Sequence, residues 1–302
     1  MTTYRYRLVN VFAESPLAGN PLCVFEDGSG LDDATMQALA LQFNLSETTF
    51  VLSPTRPGAT AHVRIFTPTF EMPFAGHPTL GTAHVVRAMN AARGGTNGAG
   101  SGEGDVGAGS GDGERVSLEM QAGVIPVEAR GDRWTLQANA PTWHDPGLSR
   151  DTLAQILGVD PADVREGTLW VDTGSEQLVI PLASTEAVAR CHPDPALLRR
   201  HSVGKKRGGL AYVWAPDGDG RARVRFFVAK HGSLLEDPGT GSACANLGGW
   251  FIARGATLPV DLTLAQGEHV GRPCRLGLRV DASGRIFVSG RVIALGDGEI
   301  RL

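Results

Sequence analysis

Cysteine is scarce in this chain: four residues in 302, at positions 23, 191, 244 and 274, with no CxxC pair. That spacing argues against a zinc ribbon, a redox dithiol or a disulfide framework, and reads the cysteines as small buried hydrophobes. Long apolar runs are missing too. The opening MTTYRYRLVNVFAESP alternates like a strand and has no signal-peptide core, and no run approaches a membrane-spanning length. The expected location is the cytoplasm. Positive charge is not in excess, the formal net charge being −4, so neither nucleic acid nor a membrane surface is an expected partner. One basic cluster, RRHSVGKKR at 199–207, has no interleaved aromatics and reads as a solvated loop. There is no GxxxxGK[ST], so the chain has no nucleotide P-loop, and the GTG at 239–241 lacks the GxGxxG dinucleotide pattern. The histidines form no ligand-spaced cluster, so no metal or organic cofactor is expected.

What is present is ample for a core: 42% of residues are hydrophobic, over a length that suits two domains of ordinary size. Residues 93–113 contain ten glycines in 21 and almost nothing apolar, which reads as a flexible surface loop. Strand-like runs dominate, among them YRYRLVNVF, PLCVFE, TTFVLSP, AHVRIFTP, LAYVWAP and ARVRFFVA. Helices are expected at 32–43 with Asp32 or Asp33 as N-cap, at 149–159 and at 193–201. Two further helices, 78–95 and 240–256, are rich in Ala, Gly and Ser with apolar residues on most faces. That pattern suits a helix surrounded by sheet, each ending on a glycine, Gly94 and Gly255. The regions around them align at a constant offset of 160, with Phe66 facing Phe226, His77 facing Asp237, Pro78 facing Pro238 and Gly81 facing Gly241. LSETTFVLS and TGSEQLVIPL form a second pair. Both matches imply two halves with one plan. The division expected is 1–127, with a C-terminal strand at about 286–302 returning to it, and 128–285.

The two loop-to-helix junctions, AGHPT and EDPGTGSA, each offer unpaired N–H groups at the positive end of a helix dipole, a natural anion site. The competing reading is that Gly76, Gly81, Gly239 and Gly241 merely serve turns and packing. Three ionisable residues accompany them. His77 directly precedes the first helix. Glu47 sits in a strand-like apolar stretch, either facing outward or desolvated into the range useful for acid–base work. Asp237 either caps a turn or edges a pocket. Three proton-transfer groups near an anion site point to a shared pocket.

The segments VNVFAESPLAGNPLCVFED (9–27), NLSETTFVL (44–52), RIFTPTFEMPFAGHPTLGTAHV (64–85) and LLEDPGTGSACANLGGWF (234–251) resemble the PhzF family of phenazine biosynthesis, relatives of diaminopimelate epimerase and proline racemase. The resemblance implies an α/β (α+β) fold of two pseudo-symmetric domains, each a curled, mainly antiparallel sheet wrapped around a central helix, with the active site between them. It implies a homodimeric, cofactor-independent isomerase that moves a proton on a small carboxylated substrate, cyclic amino acids included. Carried over, Glu47 is the acid/base, His77 and Asp237 assist, Gly76, Gly241 and Ser242 hold the substrate carboxylate, and Asn20 holds the loop or the substrate. The epimerase relatives use two cysteines, and the matching positions here read as Ala75 or Gly76 and Asp237 or Pro238. A thiol-based epimerase is therefore disfavoured. A non-catalytic carboxylate-binding protein using the same cleft is the other alternative.

Overall fold

In the computed structural model, residues 1–95, 114–206, 208–230 and 232–302 are described. From residue 96 onward, the loop expected at 93–113 lies outside them. The chain divides into two compact units. Unit 1 comprises Met1–Val11, Pro21–Leu136 and Arg291–Leu302, and unit 2 comprises Phe12–Asn20 and Gln137–Gly290.

In unit 1 the elements are β1 (Thr3–Val11), β2 (Asn20–Phe25), α1 (Asp33–Phe43), β3 (Glu47–Leu52), β4 (Ala61–Phe66), β5 (Glu71–Met72), α2 (Gly76–Gly95), β6 (Glu114–Met120), β7 (Gly123–Arg130) and β8 (Arg133–Gln137). Strand β2 pairs parallel with β3, β3 antiparallel with β4, and β4 antiparallel with β5 and parallel with β6. Helix α2 contacts β1, β3, β4, β6 and β7, so the sheet curls around it. Close approach explains its small residues: a Cβ on Gly81 would stand 2.6 Å from Leu22 Cδ2 and 2.9 Å from Val11 Cγ2. The other face of the sheet packs Cys23, Phe25, Phe50 and Phe66 on Met36, Leu39 and Ala40 of α1. Asp32 caps α1, accepting from the Thr35 N–H at 2.8 Å.

Unit 2 contains β9 (Thr142–His144), α3 (Arg150–Leu157), β10 (Leu169–Asp172), β11 (Glu176–Pro181), α4 (Thr185–Arg190), α5 (Pro195–His201), β12 (Leu210–Pro216), β13 (Arg221–Lys230), β14 (Ser233–Asp237), α6 (Gly241–Ala253), β15 (Val260–Gln266), β16 (Cys274–Val280) and the start of β17 (Ile286–Arg301). The end of β17 pairs with β1 in unit 1, Val292 opposite Val11. Strand β11 pairs parallel with β12, β12 antiparallel with β13, and β13 antiparallel with β14 and parallel with β15. This repeats the order found in unit 1. Strand LAYVWAP is buried on both faces: Ala211, Val213 and Ala215 meet a cluster with α3, α4 and α5, which is why it reads as a continuous apolar run.

The shared plan stands, with two corrections to its register. Topology equates β3 with β12, not with β11, so LSETTFVLS and TGSEQLVIPL are not counterparts. The offset of 160 holds through β4 and β13, since Ala61 pairs with Leu118 where Arg221 pairs with Thr263. It then changes. The β13–β14 hairpin is longer, so Phe66 faces Glu71 while Phe226 faces Asp237. Counted from the helix starts, Gly76 and Gly241 correspond, and His77 matches Ser242 rather than Asp237. The residues just before the helices are Ala75 and Thr240, so Asp237 and Pro238 are not the position facing Ala75. Helix α2 also runs through Gly94 to Gly95, whereas Gly255 follows α6 at φ +67, the left-handed position that glycine favours past a helix end.

Candidate active site

In unit 1 the strand period of two places Glu47 and Thr49 on the α2 side of β3, because Phe50 packs in the α1 cluster. Thr49 Oγ1 meets Thr82 Oγ1 of α2 at 2.8 Å. Two strand residues rise ~6.8 Å and the five residues from His77 to Thr82 rise ~7.5 Å, so the same alignment brings Glu47 level with His77. The Glu47 Oε2 to His77 Nε2 distance is 3.4 Å, with side chains 15% and 6% exposed. His77 is the second residue of α2, not the residue before it. Pro78 fits there because a first-turn N–H has no intrahelical partner to lose.

Burial pushes the His77 imidazole down to about 3, opposed by a hydrogen bond to the Pro21 backbone. Proline has no N–H, so that bond runs from the ring to the Pro21 carbonyl. A neutral ring then turns a lone pair toward Glu47, and the 3.4 Å approach is attractive when the two groups share one proton. Such a pair can surrender a proton and take it back.

The same shift predicts a pH dependence. Unfolded, His77 binds its proton near 6.5; folded, it does so only near 3. Between those values the unfolded state holds more protons. The contribution to stability is present above pH 6.5 and is lost as pH falls toward 3, with a slope of up to about 1.4 kcal/mol per pH unit. Denaturant titrations of His77→Asn should show a flatter acid limb than the wild type. An unchanged slope would contradict the assignment. Asp237 acts with the opposite sign: burial raises its carboxyl, so just above its ordinary value the folded state holds more protons and gains stability as pH falls.

In unit 2, Asp237 ends β14 and is held from three sides. Its Oδ1 accepts from Asn20 Nδ2 at 3.1 Å, and Asn20 is fixed by a second bond to the Gly239 carbonyl at 2.9 Å. Its Oδ2 accepts from the Thr240 hydroxyl, and its carbonyl accepts from Gln266 Nε2 at 2.8 Å. Gln266 Nε2 also donates to Thr240 Oγ1 at 3.0 Å. Burial raises the Asp237 carboxyl, while the Thr240 and Asn20 bonds lower it. Because Thr240 bonds Asp237, no side chain caps α6. By contrast, Asp32, Ser149, Ser184 and Asp194 cap α1, α3, α4 and α5. The first N–H groups of α6, at Gly241 and Ser242, keep their affinity for an anion. Ser242 Oγ accepts from Gln177 Nε2 at 2.8 Å.

Glycine roles separate cleanly. Gly81 and Gly239 serve packing, a Cβ on Gly239 standing 2.7 Å from Cys274 Sγ. Gly76 and Gly241 open the two central helices. Thr240, Gln266, Gln177 and Asn246 were not singled out from the sequence. The available signal was a lone amide in an apolar run, as in SEQLVIPL and SACANLGGWF, since a buried amide demands hydrogen-bond partners. Lys206, in the basic cluster, is not simply solvated: its Nζ bonds Asp172 Oδ2 at 2.6 Å. Two surface concavities, of 310 Å³ around Glu166 and Arg254 and 460 Å³ around Tyr4 and Asp27, are lined by none of the candidate residues.

All four cysteines are buried and unpaired. Burial raises Cys23, Cys244 and Cys274 and pushes Cys191 up to about 12. The thiols stay protonated and inaccessible. Alkylating the native protein with iodoacetamide should leave activity within about twofold, and loss of activity in step with thiol modification would overturn that expectation. Among the described residues, no helix is long and apolar enough to cross a membrane, and no group of three His, Cys, Asp or Glu is placed to hold a metal.

A sequence model of the phenazine biosynthesis-like protein family, PhzC-PhzF, matches residues 9–298. An uncharacterized isomerase of Pasteurella multocida is 40% identical over 99% of this chain and 95% of its own length. A trans-2,3-dihydro-3-hydroxyanthranilate isomerase of Pseudomonas fluorescens is 32% identical over 99% and 100%. The crystal structure of a PhzF-family phenazine biosynthesis protein from Bacillus anthracis superposes with a TM-score of 0.79 at 21% identity, covering both chains fully, which shows the fold.

Proposed function

From the premise that this chain belongs to the phenazine biosynthesis-like (PhzC-PhzF) family and is an isomerase, we propose a cofactor-independent proton shuttle acting on a small carboxylated substrate, with Glu47 as the acid/base. The buried approach of Glu47 to His77 carries this reading. Glu47 takes the proton from a carbon activated by its neighbours and returns it to another carbon. His77, a neutral ring with a lone pair turned toward Glu47, accepts from the carboxyl once that group carries the proton. Asp237, an acceptor braced by Asn20 and Thr240, assists binding or protonation. The N–H group of Gly76 in unit 1, and those of Gly241 and Ser242 in unit 2, are each suited to a carboxylate oxygen or to the charge that develops beside it. A cyclic amino acid of the kind named for the Pseudomonas fluorescens relative is the first candidate. The proposal extends to a cytoplasmic homodimer, which sedimentation equilibrium tests: a monomer at micromolar concentration removes the dimer.

The test is a panel containing trans-2,3-dihydro-3-hydroxyanthranilate and small cyclic and linear amino and hydroxy acids, followed by NMR for isomer formation and by calorimetry for binding. Isomerisation of one member supports the proposal. The uncapped start of α6 would serve a carboxylate receptor equally well. Tight binding of a member with no isomer formed would favour that second reading and sink the first.

A further inference from the structure

Behind Ser242 lies a buried chain of amides whose directions are fixed at backbone groups. Asn246, fully buried in α6, accepts with Oδ1 from the Thr173 N–H at 2.9 Å and from Thr173 Oγ1 at 2.7 Å. A backbone N–H can only donate, so that atom is the amide oxygen. Asn246 Nδ2 correspondingly donates to the Ser175 carbonyl at 2.7 Å and to Gln177 Oε1 at 2.7 Å. Gln177, 2% exposed, is thereby oriented as well: its oxygen faces Asn246 and its NH₂ faces Ser242 Oγ at 2.8 Å. No flip of either amide satisfies the Thr173 and Ser175 backbone groups. Ser242 Oγ receives a hydrogen bond from behind, so its own proton must point elsewhere. Among the described residues it meets no acceptor.

We infer that Gln177 and Asn246 are positioning residues that keep the Ser242 proton off the Gln177 side and leave it to be donated to a ligand, so that the start of α6 favours an anionic acceptor such as a carboxylate. The inference rests on the reading of Ser242 as a substrate contact. A serine free to rotate would accept from a substrate N–H as readily as it donates to a carboxylate. Here Gln177 fills one of the two lone pairs and bars the proton from its own side, so the hydroxyl proton and the uncapped N–H groups of α6 are available as donors together. The lone amides in SEQLVIPL and SACANLGGWF exist for this relay, which accounts for their burial in otherwise apolar elements.

Two experiments decide it. Neutron diffraction from deuterium-exchanged crystals of the ligand-free protein reads the hydroxyl directly. The inference requires the Ser242 deuteron to point away from Gln177, and a deuteron on the Gln177 line overturns it. The second is a double-mutant cycle using benzoate as the probe and calorimetry as the readout. Gln177→Glu keeps the side-chain length but demands the Ser242 proton, and should weaken benzoate by about tenfold or more. In a Ser242→Ala background the same change should cost less than about threefold, because the donor it disables is already gone. Equal losses in both backgrounds would mean that the added charge or a packing defect acts alone, and would overturn the inference. Gln177→Met, which neither donates nor demands a proton, should lie between wild type and Gln177→Glu. If it weakens benzoate more than Gln177→Glu does, the role is structural. Absence of benzoate binding by the wild type would count against the carboxylate site itself, and the neutron result would still decide the direction of the hydroxyl.

Discussion

Glu47→Gln lowers turnover roughly 10²- to 10⁴-fold, the usual worth of a positioned general acid or base, while circular dichroism and the melting temperature stay close to wild type. The asymmetry follows from the pair geometry. Glutamine keeps the side-chain shape, and its NH₂ donates to the lone pair that the neutral His77 turns toward it at 3.4 Å. The buried contact therefore survives, and with it the junction between β3 and the first turn of α2. What glutamine cannot do is carry a proton. A large loss of activity with an intact fold is the signature of chemistry rather than packing. A variant with near wild-type turnover would remove Glu47 from the mechanism, and a variant that fails to fold would mean the pair is chiefly structural.

Gly267→Ala should be the most damaging single methyl in unit 2. Gly267 has φ +81, and a Cβ there would lie 2.3 Å from the Arg272 carbonyl oxygen and 2.4 Å from the Pro238 carbonyl oxygen. These are backbone atoms, so no rotamer change relieves the clash. The turn Asp237-Pro238 has to move, and Gln266, which holds the Asp237 carbonyl and Thr240, moves with it. Strain of this kind costs about 3 kcal/mol or more, which corresponds to a fall in melting temperature of roughly 10 °C for a domain of this size. Activity measured well below that temperature should fall as well, because Asp237 is displaced. Gly255→Ala is the control. Its φ is +67, yet nothing stands within 4 Å of the added carbon, so only the backbone preference is lost, at about 1 kcal/mol. Thermal unfolding of the two variants side by side checks the ranking, and equal losses would contradict it.

The small-residue patterns of 78–95 and 240–256 were enough to mark two helices surrounded by sheet, because only close backbone approach rewards glycine at 81, 248 and 249. A Cβ on Gly249 would stand 2.7 Å from Pro141 and 2.8 Å from Val171. Binary pattern likewise placed Glu47 in a strand beside apolar neighbours. What pattern could not supply was the partner. His77 and Glu47 are 30 residues apart, and their meeting depends on the rise of α2 against β3, a tertiary quantity. The internal repeat was legible through β4 and β13. It failed where a longer hairpin shifted the register, since an insertion leaves no mark on either side, and at LSETTFVLS, whose counterpart is β12 and not TGSEQLVIPL. The relay behind Ser242 stayed hidden for a related reason: one amide in a buried run signals hydrogen bonding but not direction, and direction is set by backbone groups at Thr173 and Ser175.

The shuttle itself is tested most directly by the fate of the transferred hydrogen. The measurement is mass spectrometry of the isomer formed in heavy water, beginning with trans-2,3-dihydro-3-hydroxyanthranilate and continuing with whichever panel member turns over. The account requires the carboxyl to exchange the proton it has taken from one carbon with solvent before it delivers one to the other, so the predicted result is a single deuterium on the carbon that receives the proton. An isomer formed with complete retention of the substrate's own hydrogen would contradict Glu47 as a solvent-exchanging acid/base.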